Sequence, residues 1–136
     1  MLATLTVRDE SMFNLSSADF ENSAFTLSFQ NSVISVRELI ETRVRREVED
    51  YNRQQPATFR GLVQPSAAER TLNGFKLPKQ QRIDGDEQTA KAIAAFERNG
   101  FIVLVDDRQV DCLDSLIEVK PRTTVTFLKL VPLVGG

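Results

Sequence analysis

The sequence predicts a single α+β domain in which a small mixed sheet packs on one main helix. Three observations predict it. Phe25, Leu27 and Phe29 alternate with Thr26, Ser28 and Gln30, the period of a strand with one buried face. Val36, Leu39, Ile40, Val44, Val48 and Tyr51 recur at helical spacing and make one apolar stripe. Two later runs, 101–105 and 124–130, are apolar on both faces at several positions, which suits strands inside a sheet.

Residues 3–9 read as the first strand, with Leu5 and Val7 on one face and Thr4 and Thr6 on the other. Residues 10–23 form a polar, serine-rich connection, and Phe13, Leu15 and Phe20 are available to pin it. The strand from Phe25 pairs with the first as a hairpin with a long loop; an edge insertion fits the pattern equally. Ser35 is placed to cap the helix, and Glu38 three residues later completes a capping box. The polar face of that helix carries Glu38, Glu41, Arg45 and Glu49. The helix ends near Asn52, and Pro56 bars its continuation.

Residues 53–88 change character, punctuated by Pro56, Gly61, Pro65, Gly74, Pro78 and Gly85. The short apolar pieces at 59–63 and 75–77 suit small strands or a short hairpin docked on the main sheet. Asp84-Gly85-Asp86-Glu87 reads as a turn and helix start, where acids are favoured. Residues 89–99 then form a short helix with Ala90, Ile93, Ala94 and Phe96 inward. Gly100 is placed to end it in a left-handed conformation. Residues 53–99 are thus an insertion before the third strand, not a second domain.

Phe101–Val105 is expected to be the most central strand. Asp106 and Asp107 favour a turn, and Gln109 and Val110 begin a short strand. Leu113, Leu116 and Ile117 suggest a compact turn or a single helical turn. Thr124–Leu130 is the last strand. A helix that recrosses the sheet after a hairpin sets the first and last strands side by side, a two-layer arrangement. The last strand then delivers residues 131–136 to the surface as a flexible tail.

Composition narrows the chemistry. The chain has 136 residues, no histidine and a single cysteine. Neither a Ser-His-Asp nor a Cys-His nucleophilic site can be assembled, and an ordinary His/Cys zinc site is excluded. No acid–base pair or cofactor motif stands out, so the chain does not read as an enzyme. The 17 basic and 19 acidic residues give a net charge of -2, too balanced to argue for nucleic acid. One cysteine makes no internal disulfide, which suits a reducing, cytoplasmic setting. The start, Met1 to Arg8, lacks the basic and long apolar regions of a signal peptide. No stretch approaches the length of a membrane span.

Few other residues invite a functional reading. Cys112 reads as a partly buried small hydrophobe. Asp106, Asp107, Asp111 and Asp114 read as a solvated acidic surface; their spacing does not match a calcium loop. Arg43, Arg45, Arg46 and Arg53 cluster on or just beyond the first helix among Glu41, Glu47, Glu49 and Asp50. That cluster is either a salt-bridged, solvated face or a docking site for an acidic protein surface.

The order of elements and the ending Phe127-Leu128-Lys129-Leu130-Val131-Pro132-Leu133-Val134-Gly135-Gly136 resemble the ubiquitin-like β-grasp superfamily. The resemblance covers roughly residues 3–51 and 100–136. Its tail is similar to those of ubiquitin and of the prokaryotic sulfur carriers of molybdopterin and thiamin synthesis; a proline ahead of the diglycine is closer to the carriers. Residues 53–99 have no counterpart in the simple forms of either group. A bacterial ubiquitin-like modifier with its own activating and conjugating enzymes would accommodate both the tail and the insertion.

The resemblance implies that Gly136 supplies the reacting carboxylate. A separate adenylating enzyme would activate it with ATP, after which it passes to a thiol and then to a target, or becomes a thiocarboxylate. No cofactor would be bound by the chain itself. Gly135 and Gly136 have no side chain to obstruct a narrow partner channel. Val131, Leu133 and Val134 would supply grip, and Pro132 would favour an extended approach. A β-grasp interaction module with an incidental diglycine is the remaining alternative.

Overall fold

A computed structural model describes the chain apart from residues 1, 12–23, 57, 60, 67, 72–73, 78–81 and 131–136. Its elements are β1 (Ala3–Ser11), β2 (Phe25–Phe29), β3 (Val33–Ser35), α1 (Val36–Gln54), β4 (Glu69–Thr71) and β5 (Gly74–Lys76). They continue with α2 (Gly85–Glu97), β6 (Phe101–Val105), β7 (Arg108–Val110), β8 (Leu116–Glu118) and β9 (Thr124–Lys129). The class is α+β, with a mixed sheet and, among the described residues, two helices.

The main sheet has the order β2-β1-β9-β6-β7. β1 and β2 are antiparallel, with Leu5 opposite Leu27. β9 runs parallel to β1 and antiparallel to β6. A parallel neighbour requires a crossover, and α1 lies on the path between them. The first and last strands are therefore adjacent, as the element order suggested. The middle position belongs to β9 rather than β6, whose other neighbour is the short β7.

Alternation along the strands builds one buried layer. Leu5, Val7, Leu27, Phe29, Phe101, Val103, Val125 and Phe127 are buried in the same core as the α1 stripe. All six stripe residues read from the sequence are buried. On the outer face Ile102, Leu104 and Leu128 stay half-buried. The β6–β7 turn is two residues long, and Asp106 and Asp107 both take positive φ, 48° and 69°. Two successive positive φ values give the type I′ turn that matches strand twist, and Asp tolerates them better than most residues. Asp106 also ties the turn to β9: its amide donates to the Thr124 carbonyl and its Oδ1 accepts from the Thr124 amide, each at 2.9 Å.

α1 begins where expected. The Ser35 hydroxyl accepts from the Glu38 amide at 3.1 Å. The amides of Val36 and Arg37 donate to the carbonyls of Ser115 and Leu113, each at 3.0 Å, so first-turn donors are satisfied by a distant segment. That segment makes a compact turn, with the Ser115 amide donating to the Cys112 carbonyl at 3.0 Å, while Leu116 and Ile117 belong to a strand, β8, that pairs antiparallel with β3. Two three-residue strands carry too few alternations to be read from pattern. The other end of α1 runs to Gln54, past the expected stop, and closes on Gln55 at φ 45°.

The inserted segment docks chiefly through α1, not directly on the sheet. Asn52 pairs with Ile83 as a strand would, donating to its carbonyl at 2.9 Å and accepting from its amide at 2.8 Å. The Tyr51 and Phe59 rings meet edge to face at 5.4 Å, and Phe59 exchanges backbone hydrogen bonds with Phe75. The expected piece at 75–77 supplies β5, but its partner is β4, and the piece at 59–63 meets β5 only through the isolated Phe59–Phe75 bridge. Gly61 is required here by sterics, because a Cβ would overlap the Phe59 ring. Gly61→Ala is expected to cost about 1–3 kcal/mol by forcing that ring aside. Urea unfolding reads this as a lower midpoint at unchanged slope. Gly85→Ala is the control, because its Cβ meets only ordinary contacts, the nearest 3.7 Å away.

α2 starts within the expected Asp84–Glu87 turn, ahead of the expected 89–99 span, and differs from the expected helix in face. It begins at Gly85 with Asp84 as N-cap, whose Oδ1 accepts from the amides of Asp86 and Glu87. The buried face is Gln88, Thr89, Ala92, Ala95 and Phe96, while Ala90 and Ala94 are exposed and Ile93 is half-buried. Two polar residues hold core positions because backbone carbonyls satisfy them. Gln88 Nε2 donates to Val63 O at 3.0 Å, and Thr89 Oγ1 to Gly85 O at 2.8 Å. The left-handed residue at its end is Asn99, at φ 62°, not Gly100. The amides of Asn99 and Gly100 donate back to Phe96 and Ala95, the paired bonds of a Schellman motif, so Gly100 occupies the following position.

Candidate functional site

The tail residues Val131, Pro132, Leu133, Val134, Gly135 and Gly136 lie outside the described residues. The arginine cluster is described, and it divides. Arg45, Arg46 and Arg53 are exposed, each beside an acid. Arg45 bridges α1 to α2 through Asp86 at 2.9 Å, and Arg53 meets Asp50 at 2.5 Å. Arg46 donates to the Thr26 carbonyl of edge strand β2 and lies 3.9 Å from Asp50. Exposed pairs of this kind contribute little to stability, about 0–1 kcal/mol.

Arg43 leaves that group. It is 1% exposed and is the largest fully buried side chain among the described residues. Its stem follows the α1 stripe inward, and both terminal nitrogens donate to Asp9 of β1, at 2.5 and 2.7 Å. Its Nε donates to Glu47 one turn along α1, at 3.3 Å. The guanidinium lies 4.5 Å from the centre of the Phe127 ring and 5.4 Å from that of Phe25. A bidentate carboxylate, a second carboxylate and an aromatic face together meet what a buried guanidinium needs.

The electrostatics of the two carboxyls diverge. Burial pushes Asp9 up, but the charge and hydrogen bonds of Arg43 reverse this and hold it below its ordinary value. Burial pushes Glu47 up as well; Arg43 opposes this, the Asp9 charge adds to it, and the carboxyl ends raised. Arg43 is pushed down by burial and up by its two partners, and ends more firmly protonated than usual. Lys129 of β9 lies within electrostatic reach of both carboxyls.

Opposite pH effects follow from these directions. Asp9 stabilises the fold above the ordinary aspartate value, and this is lost as pH falls through its lowered folded value. Glu47 binds its proton more tightly when folded, so the fold loses stability as pH rises from the ordinary glutamate value through the raised one. Glu47→Gln is therefore expected to gain stability relative to the parent as pH rises through that window, measured by thermal unfolding in a pH series. A difference in Tm independent of pH would contradict the assignment.

The triad lies at the floor of a cleft of about 660 Å³ between α1, the facing ends of β1 and β2, and Pro56, Thr58 and Phe59. Phe25, Tyr51 and Phe59 line its walls, with Arg46 and Asp50 also along it. Sequence reasoning missed this site because Asp9 and Arg43 are 34 residues apart. A local signal was present: Arg43 and Glu47 fall on the apolar stripe at i,i+4 spacing with opposite charge.

The remaining sequence candidates stand apart from the cleft. Cys112 is exposed rather than partly buried, because it follows the short β7 at the edge of the sheet. The aspartates near it are spread over a hairpin turn and a loop. Among the described residues, no group of three or more His, Cys, Asp or Glu side chains could hold a metal ion. No described helix is long and apolar enough to cross a membrane. The chain matches no known protein-family model, no curated protein and no solved structure.

Proposed function

We propose that this chain is a ubiquitin-like β-grasp modifier acting through the Gly136 carboxylate, whether that is its own end or is freed by cleavage. The observation that carries the reading is the sheet order β2-β1-β9-β6-β7, with β9 parallel to β1 and continuing in sequence into Val131–Gly136. A hairpin, a crossing helix and a central last strand are the arrangement from which a β-grasp protein presents its tail.

In the proposed sequence a carboxylate oxygen of Gly136 attacks ATP on a separate adenylating enzyme, pyrophosphate leaves, and an acyl-adenylate forms. A thiolate then displaces AMP, and a target amine displaces the thiol. The chain supplies the acyl group and no catalytic residue. ATP and a reducing environment place this chemistry in the cytoplasm. Arg45, Arg46 and Arg53 offer the activating or conjugating enzyme a basic face already tied to acids, which limits its charge. No nucleic acid or membrane enters the scheme.

A sulfur carrier is the second reading, favoured by Pro132 ahead of the diglycine. Both readings share the first step, and intact mass separates them after incubation with ATP and an adenylating enzyme from the source cells. A covalent adduct through Gly136 to cysteine or lysine supports the modifier. A gain matching exchange of one oxygen for sulfur supports the carrier. If deleting Gly135 and Gly136 leaves every partner interaction untouched, the chain is instead a non-conjugated β-grasp module.

A further inference from the structure

The cleft above the buried triad has features that the proposed tail chemistry does not use. Its volume of about 660 Å³ lies within the range of small-molecule sites. Its walls are aromatic, with Phe25, Tyr51 and Phe59 along them. Charged groups sit at its floor, where water is scarce and electrostatic attraction is stronger than at the surface.

The floor discriminates between signs of charge. Arg43 is 1% exposed, and both its terminal nitrogens are already bonded to Asp9, so it is poorly placed to receive an anion. Asp9 gives both oxygens to Arg43. Glu47 gives Arg43 only Oε1, through one bond of 3.3 Å, and its side chain is 13% exposed and lines the cleft. Arg43 therefore compensates Asp9 more fully than Glu47, and Lys129 of β9 adds a smaller attraction to both. Burial raises the Glu47 proton affinity, the Asp9 charge adds to it, and the attraction of Arg43 and Lys129 does not offset them.

We infer that the cleft binds a small organic cation, a primary ammonium or guanidinium on a short aromatic or alkyl stem. Its charged head pairs with Glu47, and its stem lies between Phe25, Tyr51 and Phe59. The head supplies the positive charge that Arg43 gives mainly to Asp9. The rings accept the stem by apolar contact and attract the head through their faces. An anionic ligand would meet the Glu47 carboxylate. A neutral ligand would gain only the apolar contact.

The test uses three probes with one ring and one chain length: 2-phenylethylammonium, 2-phenylethanol and phenylacetate. Each is titrated into the full chain at mildly alkaline pH and followed by amide chemical shifts. The expected result is saturable binding of the ammonium, with shifts centred on Phe25, Glu47, Tyr51 and Phe59, and at least about tenfold weaker binding of the other two. Glu47→Gln, which keeps an acceptor for Arg43 Nε, should weaken the ammonium by about tenfold or more while unfolding remains cooperative. Thr58→Trp, which adds bulk to the cleft wall beside Phe59, should abolish binding.

Equal binding of the alcohol, tighter binding of phenylacetate, or shifts centred elsewhere would overturn the inference. So would unchanged affinity in a folded Glu47→Gln variant. Nα-acetyl-lysine amide carries the same head on a protein-like stem; if it binds more tightly than 2-phenylethylammonium, the cation comes from a basic side chain of a partner rather than a free amine. A chain lacking Gly135 and Gly136 should bind as the full chain does, so this result stands apart from the tail reading.

Discussion

Asp9→Ala is expected to lower folding stability by about 3–5 kcal/mol, the cost of leaving a buried charge without its main partner. Arg43 has both terminal nitrogens on Asp9 and is 1% exposed, so water entering from the cleft replaces the lost charged bidentate partner only in part. Glu47 remains, but through one bond of 3.3 Å. The loss is large against a total stability of about 5–15 kcal/mol for a domain of this kind. Urea unfolding should show the midpoint falling at unchanged slope.

The pair is expected to be worth much less than the single mutant suggests. Asp9→Leu combined with Arg43→Met removes both charges and leaves Glu47 to take up a proton. That double variant should recover much of the loss, because well-packed apolar residues often replace buried ion pairs at little cost. Stability as low in the double variant as in Asp9→Ala would mean that packing around Asp9, not the stranded guanidinium, carries the effect.

Phe127→Ala should cost about 3–5 kcal/mol by a different route, loss of transfer energy plus a cavity. Phe127 is fully buried in β9, the middle strand, and meets the Phe101 ring at 5.7 Å. It also faces the Arg43 guanidinium at 4.5 Å, so the variant strips the triad of an aromatic face as well as opening a void. Phe127→Ala and Asp9→Ala share Arg43 as a neighbour, and their effects should not add. Leu116→Ala, at 71% exposure, is the matched control and should lie within about 0.5 kcal/mol of the parent.

What could be read from the chain follows from how each contact is encoded. The β2 alternation and the α1 stripe are periodic, so one-dimensional pattern reaches them. The adjacency of β1 and β9 follows from element order and the need for a crossover. Patterning misleads where a polar residue is satisfied inside the core: Gln88 and Thr89 hide the buried face of α2 by bonding to Val63 and Gly85 carbonyls. β3 and β8 escape because each is three residues long and their pairing is long-range.

The cleft shows the same limit. Arg43 resembles its exposed neighbours Arg45 and Arg46 in sequence, and only its place on the apolar stripe sets it apart. Asp9 sits on the inward alternation of β1 with Leu5 and Val7, where an acid calls for a buried cation. Read together, those two positions would have pointed to the ion pair. The aromatic walls from 25, 51 and 59 converge only in three dimensions.

The most direct test of the modifier reading is a search for the tail on other proteins. Trypsin cuts after Lys129 and leaves Leu130 to Gly136 attached to any lysine the chain has modified. The chain, tagged at its N-terminus, is expressed in its source cells beside a version lacking Gly135 and Gly136. The reading predicts target lysines carrying the Leu-Val-Pro-Leu-Val-Gly-Gly remnant in the first sample and none in the second. No remnant on any lysine, with identical covalent and non-covalent partners for the two versions, would contradict it.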